Sequence, residues 1–291
     1  MKPPKFAYHR PDSAADAVAL LGELGESAKV LAGGQSLVPL LSLRLAYFDH
    51  LVDISRLPEL QGVRRSGATV RVGAGTTEAA VGRDGELRTS VPLLSRVTPF
   101  IGHFQIRNRG TVGGSLAHAD PAAEYPAVAV ALGAEFDVLS PSGERTIPAS
   151  EFFTGLWSTA MEPGELLVAV RFPVWSGRCG FAVEEFARRH GDFAIAGAVL
   201  GIEAGEDGHV RRCAIGLMGM GSTPKRARQA ELSATGTLLS EVDPQELGEL
   251  AAAGWDDTPS DLQGSADYRR KVCASLVARA WVRAAEEATH D

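Results

Sequence analysis

The chain has 291 residues, 45% of them hydrophobic and 22% charged, so it can bury a core and is not disordered by composition. Its net charge of −7 comes with no block of lysine and arginine, which argues against a general nucleic-acid-binding role. Apolar runs such as Pro126–Leu132 are too short to span a bilayer, and the N-terminus has no apolar signal core, so a cytoplasmic protein is expected. Cys179, Cys213 and Cys273 are far apart and form no Cys-x-x-Cys. They read as packing residues, no metal site is expected in this chain, and any metal chemistry belongs to a partner.

Taken in order, the chain opens on an extended, proline-rich lead-in. Asp12 or Ser13 then caps a helix whose apolar face is Ala14, Ala17, Val18 and Leu21, and Gly25 is placed to end it. Ala28–Ala32 reads as a strand running into Gly33-Gly34-Gln35-Ser36, with Leu37–Leu45 helical after it. His50–Ile54 is a strand, and Gly62–Arg65 with Thr69–Val72 a hairpin. Thr76 or Thr77 caps a helix, and Pro92–Gly102 is another. Ile106 to Pro126 follows as a glycine-rich loop, then a small-residue helix over Pro121–Leu132 with Asp120 as its N-cap.

Glu135–Leu139 and Arg145–Pro148 read as a second hairpin, Phe152–Trp157 as an aromatic connector, and Glu165–Phe172 as an alternating strand. Phe181–Ala187, Phe193–Glu203 and Val210–Met218 make an antiparallel three-stranded meander. Helices near Pro244 and over Ala266–Glu286 close the chain, the latter with Cys273, Leu276, Val277, Ala280, Trp281 and Ala284 on one face. Strands followed by helices predict an α+β layer. The division falls near Gly177, giving domains 1–177 and 178–291.

Two segments carry chemistry. Ala32-Gly33-Gly34-Gln35-Ser36 and Thr111-Val112-Gly113-Gly114-Ser115 each combine bare backbone with a serine. Neither has the lysine of a P-loop or the spacing of a dinucleotide fingerprint. Glycines let main-chain N–H groups approach a phosphate closely, and the bland alternative is a pair of tight turns. Two such segments suggest one ligand with two phosphates, held by N–H groups of Gly33, Gly34, Gly113 and Gly114 and hydroxyls of Ser36, Thr111 and Ser115.

Ala32–Leu37, with Arg44 after it, resembles the first flavin motif of the FAD-binding medium subunits in the molybdenum hydroxylase family. That family includes xanthine dehydrogenase, carbon monoxide dehydrogenase and quinoline oxidoreductase. The run from Arg107 to Pro121 resembles the second motif, and the likeness extends over nearly the whole chain, including the Arg188–Ala194 turn. It implies a bipartite FAD-binding domain of the vanillyl-alcohol oxidase and para-cresol methylhydroxylase type, followed by a small α+β C-terminal domain. It further implies that Ala32, Gly33, Gly34, Gln35, Ser36 and Leu37, with Thr111, Gly113, Gly114 and Ser115, hold FAD. Glu124 matches an acidic cofactor contact, Ile101, Ala117 and Leu167 match apolar positions near the flavin, and Phe193 falls where carbon monoxide enzymes have a tyrosine. Gln35 replaces their histidine.

Other readings stay open beside these. Asp120 either caps a helix or contacts the cofactor. His118 reads as a structural hydrogen-bonder, and His103 and His190 as surface or packing residues. Arg107 and Arg109 fix the loop, face a neighbouring subunit or neutralise phosphate, the structural roles being favoured, and Gln35 braces its own loop or meets the ligand. No catalytic side chain is expected.

The resemblance implies an electron-transfer subunit. Iron–sulfur clusters of the [2Fe-2S] type would lie on a small partner and the molybdenum cofactor on a large one, in a dimer of heterotrimers. A stand-alone FAD-dependent oxidoreductase of the same fold is the alternative, and a non-catalytic interaction protein a further one.

Overall fold

The structure, a computed structural model, describes Lys2 to His290. Strand β1 (Ala7–His9) is followed by α1 (Ala14–Leu24), β2 (Ala28–Leu31), α2 (Leu37–Leu43) and β3 (His50–Asp53). The three strands form a parallel sheet ordered β1-β3-β2. The Ser13 hydroxyl accepts the Asp16 N–H at the start of α1, and Gly25, at φ 59°, ends it. The face expected from spacing is buried there against Val52 and Ile54, together with Leu166 and Val168 from much later in the chain.

A hairpin of β4 (Val63–Ser66) and β5 (Thr69–Gly73) leads into six helices. These are α3 (Glu78–Arg83), α4 (Gly85–Ser90), α5 (Pro92–Val97), α6 (Phe104–Arg107), α7 (Val112–His118) and α8 (Glu124–Leu132). A second hairpin, β6 (Glu135–Ser140) and β7 (Gly143–Pro148), precedes α9 (Ala149–Phe152). The short pair β8 (Phe153–Gly155) and β9 (Ser158–Thr159) occupies the aromatic connector, and β10 (Leu166–Pro173) follows. Strand β10 joins the two hairpins into an antiparallel five-stranded sheet ordered β4-β5-β10-β6-β7.

The last part is a meander of β11 (Arg178–Phe186), β12 (Ala196–Ala204) and β13 (Val210–Met218). A two-residue fourth strand, β14 (Lys225–Arg226), extends the expected three. Helices α10 (Arg228–Ala234), α11 (Pro244–Ala252) and α12 (Ala266–Thr289) complete the chain. The expected face of α12 is buried with Leu200, Ile202 and Ile215. The packing is close: a Cβ placed on Gly180 of β11 would lie 1.8 Å from the Ala284 carbonyl oxygen.

Phe181, Val183, Val199, Ala214 and Met218, also from this meander, belong to the main core with α5, α8 and the five-stranded sheet. Every residue of α8 is buried, Glu124 included, as befits a largely apolar helix enclosed in the core. A Cβ on Gly216 of β13 would lie 2.3 Å from the Ala127 carbonyl oxygen of α8. The apolar core is therefore continuous from the middle of the chain into its last third.

Candidate functional site

Strand β2 ends at Leu31 and the backbone turns through Ala32–Ser36 into α2. Gly34 sits at φ +74°, a left-handed conformation that favours glycine, and Ser36 returns to the right-handed region. Among the described residues, no acceptor meets the N–H groups of Gly33, Gly34, Gln35 and Ser36. Successive N–H groups freed by such a turn form a concave anion receptor. Gln35 Nε2 donates to the Gly33 carbonyl at 2.9 Å, so its side chain braces the turn.

Gly33, Gly34 and Gln35 line a cleft of about 360 Å³ whose walls also include Asp53, Ser55 and Arg109. Arg109 forms no ion pair among the described residues. On the other wall Asp53 Oδ1 accepts the Ser55 N–H at 2.8 Å, and the Tyr8 hydroxyl donates to Oδ2. Burial pushes the Asp53 carboxyl up, but the Tyr8 and Ser55 hydrogen bonds outweigh it and hold the group below its ordinary value. This wall is anionic and suits hydroxyl donors.

The second glycine segment reaches the same place. A Cβ on Gly33 would lie 2.1 Å from the Arg109 carbonyl oxygen and 2.8 Å from the Gly110 Cα, so the two segments touch backbone to backbone. A Cβ on Gly114 would lie 3.8 Å from that of Ala32. What reads as a loop is in part helical, since Thr111 is the N-cap of α7 and its Oγ1 accepts the Gly114 N–H at 3.0 Å. The Gly113 N–H donates to the Ala74 carbonyl at 2.8 Å. Contrary to expectation, both N–H groups already have partners within the chain. Free main-chain donors come from the first segment, and the second gives the junction its shape.

Under this junction lies Glu78, the first residue of α3, capped by Thr77. Its N–H donates to the Gly110 carbonyl at 2.9 Å, and a Cβ on Gly110 would sit 2.6 Å from its Oε1. Glu78 is only 4% exposed, and Oε2 is buried without a partner. Burial, reinforced by the charge of Glu124 against a smaller opposing effect of Arg107, pushes its carboxyl up to about 8. Burial raises Glu124 to about 7, its own backbone N–H opposing and Asp120 reinforcing. Glu185 of β11, with Oε2 buried and unpartnered, is raised to about 8 by burial and by Glu124. Three buried carboxyl groups, from α3, α8 and β11, are thus all raised toward neutrality or above it. Sequence reasoning singled out only Glu124, and it also missed Asp53 and Ser55.

The other expected residues are distributed around this junction. Ala74, which accepts from Gly113, donates its own N–H to the Val168 carbonyl at 3.0 Å, and this ties α7 to β10 beside the buried Leu167. Ile101 is buried, and Ala117 packs against the same core. Phe193 is 59% exposed, on a turn whose Gly191 would bring a Cβ within 2.9 Å of His103 and 3.1 Å of Gly102. The His103 and His190 rings lie 5.9 Å apart at that contact.

Arg107 Nη1 donates to the Ile101 and Gly102 carbonyls at 2.9 Å, the bracing role expected of it. Asp120 does not cap α8, whose N-cap is Ala123. Its Oδ1 accepts the Ala122 N–H and its Oδ2 the Trp157 indole N–H, because the chain makes a turn at Pro121 before becoming helical. His118 hydrogen-bonds no described residue and stacks on Trp157, with ring centroids 6.2 Å apart. Burial lowers its basicity, against the opposing charge of Asp120. Among the described residues no group of His, Cys, Asp and Glu is placed to hold a metal ion, and no helix is long and apolar enough to cross a membrane.

Residues 4–175 match the family described as FAD binding domain in molybdopterin dehydrogenase, and residues 181–284 match the CO dehydrogenase flavoprotein C-terminal domain. The chain is 42% identical over 288 residues to the 6-hydroxypseudooxynicotine dehydrogenase complex subunit alpha of Paenarthrobacter nicotinovorans, covering 99% of this chain and 97% of that one. It is 39% identical over 291 residues to the carbon monoxide dehydrogenase medium chain of Hydrogenophaga pseudoflava, covering 98% and 100%. The solved structure of carbon monoxide dehydrogenase from Hydrogenophaga pseudoflava superposes with a TM-score of 0.95 at 39% identity, covering 99% of both chains. Quinoline 2-oxidoreductase from Pseudomonas putida 86 superposes with a TM-score of 0.93 at 34% identity, covering 100% of both.

Proposed function

Because this chain belongs to the family of FAD-binding medium subunits of molybdenum hydroxylases, we propose that it is the electron-transfer subunit of such a complex. It carries FAD and relays electrons from iron–sulfur clusters on a small partner to an external acceptor. Substrate is oxidised at the molybdenum cofactor of a large partner, and the assembly is a dimer of heterotrimers working in the cytoplasm. The relatives include a carbon monoxide dehydrogenase and a caffeine dehydrogenase, so one flavin-subunit architecture accompanies different substrates.

One observation carries the reading: two distant glycine segments meet backbone to backbone beside four free N–H groups and an unpaired arginine. That arrangement fits a pyrophosphate. The N–H groups of Gly33, Gly34, Gln35 and Ser36 donate to its oxygens, helped by the Ser36 and Ser115 hydroxyls, and Arg109 balances its charge. Ala32 and Leu37 flank the turn, and Thr111, Gly113 and Gly114 hold the opposing wall in shape. Ile101, Ala117 and Leu167 provide apolar surface for the ring system, with Glu124 and Asp120 as polar contacts and Phe193 at its exposed edge. FAD, once bound, supplies the redox chemistry, and the chain's part is to bind, orient and shield it. We place the division between the FAD-binding and C-terminal domains at Gly177, an exposed glycine at φ +87°.

The test is spectroscopic and compositional. The purified chain should show the visible bands of an oxidised flavin, or acquire them when FAD is added, and affinity purification from the native source should bring down one large and one small chain carrying molybdenum and iron. Absence of any flavin binding would overturn the assignment of this cleft. Turnover of an organic substrate by the isolated chain would favour a stand-alone flavoenzyme instead.

A further inference from the structure

Glu78 is placed where an acid is costly. It is almost wholly buried, one carboxylate oxygen has no partner, and the carboxyl group packs against the Cα of Gly110 at the seam where the two glycine segments meet. An uncompensated carboxylate in such a place is strongly disfavoured relative to the neutral acid.

The surroundings offer no remedy. Glu124 and Tyr125 of α8 and Arg107 of α6 are the titratable or charged groups that face it. Glu124 is a like charge, and Arg107 Nη1 is committed to main-chain carbonyls. On α4, Glu86 pairs with Arg65, and on α5, Arg96 pairs with Glu287. Ionisation would therefore drive the carboxylate toward water, and the way out displaces Gly110 and Arg109, the backbone that seats against Gly33.

We propose that Glu78 is a positioning residue for the cofactor cradle: as a neutral acid it lets the Arg109–Gly110 segment close on Gly33, and as a carboxylate it opens that seam and releases the cofactor. The inference rests on the reading of the cleft as the FAD site. The sign follows from linkage. A value raised to about 8 in the closed form, against an ordinary carboxyl value once the seam opens, means closure is fully favoured below the ordinary carboxylate range and is weakened progressively as pH rises to about 8. Because the open form has lost a proton that the closed form keeps, affinity should fall by up to about tenfold per pH unit within that window and level off above it.

The experiment is a fluorescence titration of the full chain with FAD from acid-neutral to alkaline pH, for the wild type and Glu78→Gln. Glutamine keeps the shape and neutrality of the protonated acid. The expected result is wild-type affinity that falls as pH rises toward about 8 and is level beyond it, while Glu78→Gln keeps high affinity throughout. A level wild-type profile, an unchanged loss with rising pH in Glu78→Gln, or loss of binding by that variant at every pH despite a native circular-dichroism spectrum each overturns the proposal. Should Glu78→Gln fail to fold, Glu124→Gln decides. Removing a like charge should move the upper end of the loss to lower pH, and an unmoved end overturns the proposal. Wild-type protein that binds no FAD at any pH is a different result, and it refutes the cleft assignment itself.

Discussion

The main chain of Gly33 lies directly against the carbonyl of Arg109, leaving no room for a side chain: a Cβ there would approach the carbonyl oxygen to 2.1 Å. Because the obstacle is backbone, it cannot rotate away. Gly33→Ala should part the two segments and weaken FAD binding by at least about tenfold, the equivalent of one well-made hydrogen bond to a charged group. A thermal melt without cofactor should change less than the cofactor-induced rise in midpoint. Unaltered affinity would separate the seam from the binding site.

The neighbouring arginines should behave differently. Arg109 faces the cleft unpaired, so Arg109→Ala should lower FAD affinity, with a smaller loss at high salt, and leave the apoprotein melt nearly unchanged. Arg107 spends its guanidinium on the Ile101 and Gly102 carbonyls, so Arg107→Ala should destabilise the fold by about 1–3 kcal/mol. Parallel urea unfolding and flavin titrations would distinguish the two.

Thr111 supplies the cap that seats α7. Thr111→Val keeps the branched shape but removes the acceptor for the Gly114 N–H, and should cost about 1 kcal/mol of stability. Thr111→Ser should restore most of it. Denaturant midpoints for the pair provide the check.

In the C-terminal part, Gly180 abuts the Ala284 carbonyl of α12. Gly180→Ala should overpack that contact and cost about 1–3 kcal/mol. Trp281→Ala, which empties a fully buried indole site, should cost about 3–5 kcal/mol. Chemical unfolding followed by far-ultraviolet circular dichroism reads both.

Much of this was legible in the residues. Ser13, Gly25 and the spacing of Ala14, Ala17, Val18 and Leu21 define α1 nearly to the residue, because caps and apolar periodicity are local signals. The α12 face is legible for the same reason. The second glycine segment misleads, because glycines in a row normally mark a turn. Gly113 and Gly114 instead lie in the first turn of α7, and Gly113 is required by contact: a Cβ there would sit 2.4 Å from that of Ala74. That neighbour is far away in sequence and leaves no local trace. Asp120 followed by proline has the look of a helix start, but its carboxylate is drawn to Ala122 and Trp157.

Glu78 is the instructive omission. An acid in the first turn of a capped helix is ordinarily a solvated complement to the helix dipole. Only the arrival of Gly110 from above and Glu124 from the side makes it a buried acid, and both contacts are tertiary.

The enclosure of α8 has an evolutionary corollary. Since Phe181, Val183 and Met218 interdigitate with residues from the preceding domain, scission at Gly177 would leave each fragment with a raw, insoluble flank. The stretches on either side of Gly177 are therefore expected to fold as one unit, and their separately expressed halves to be poorly soluble. A recombination event that swapped only one of them would have to preserve the shape of a helix belonging to the other.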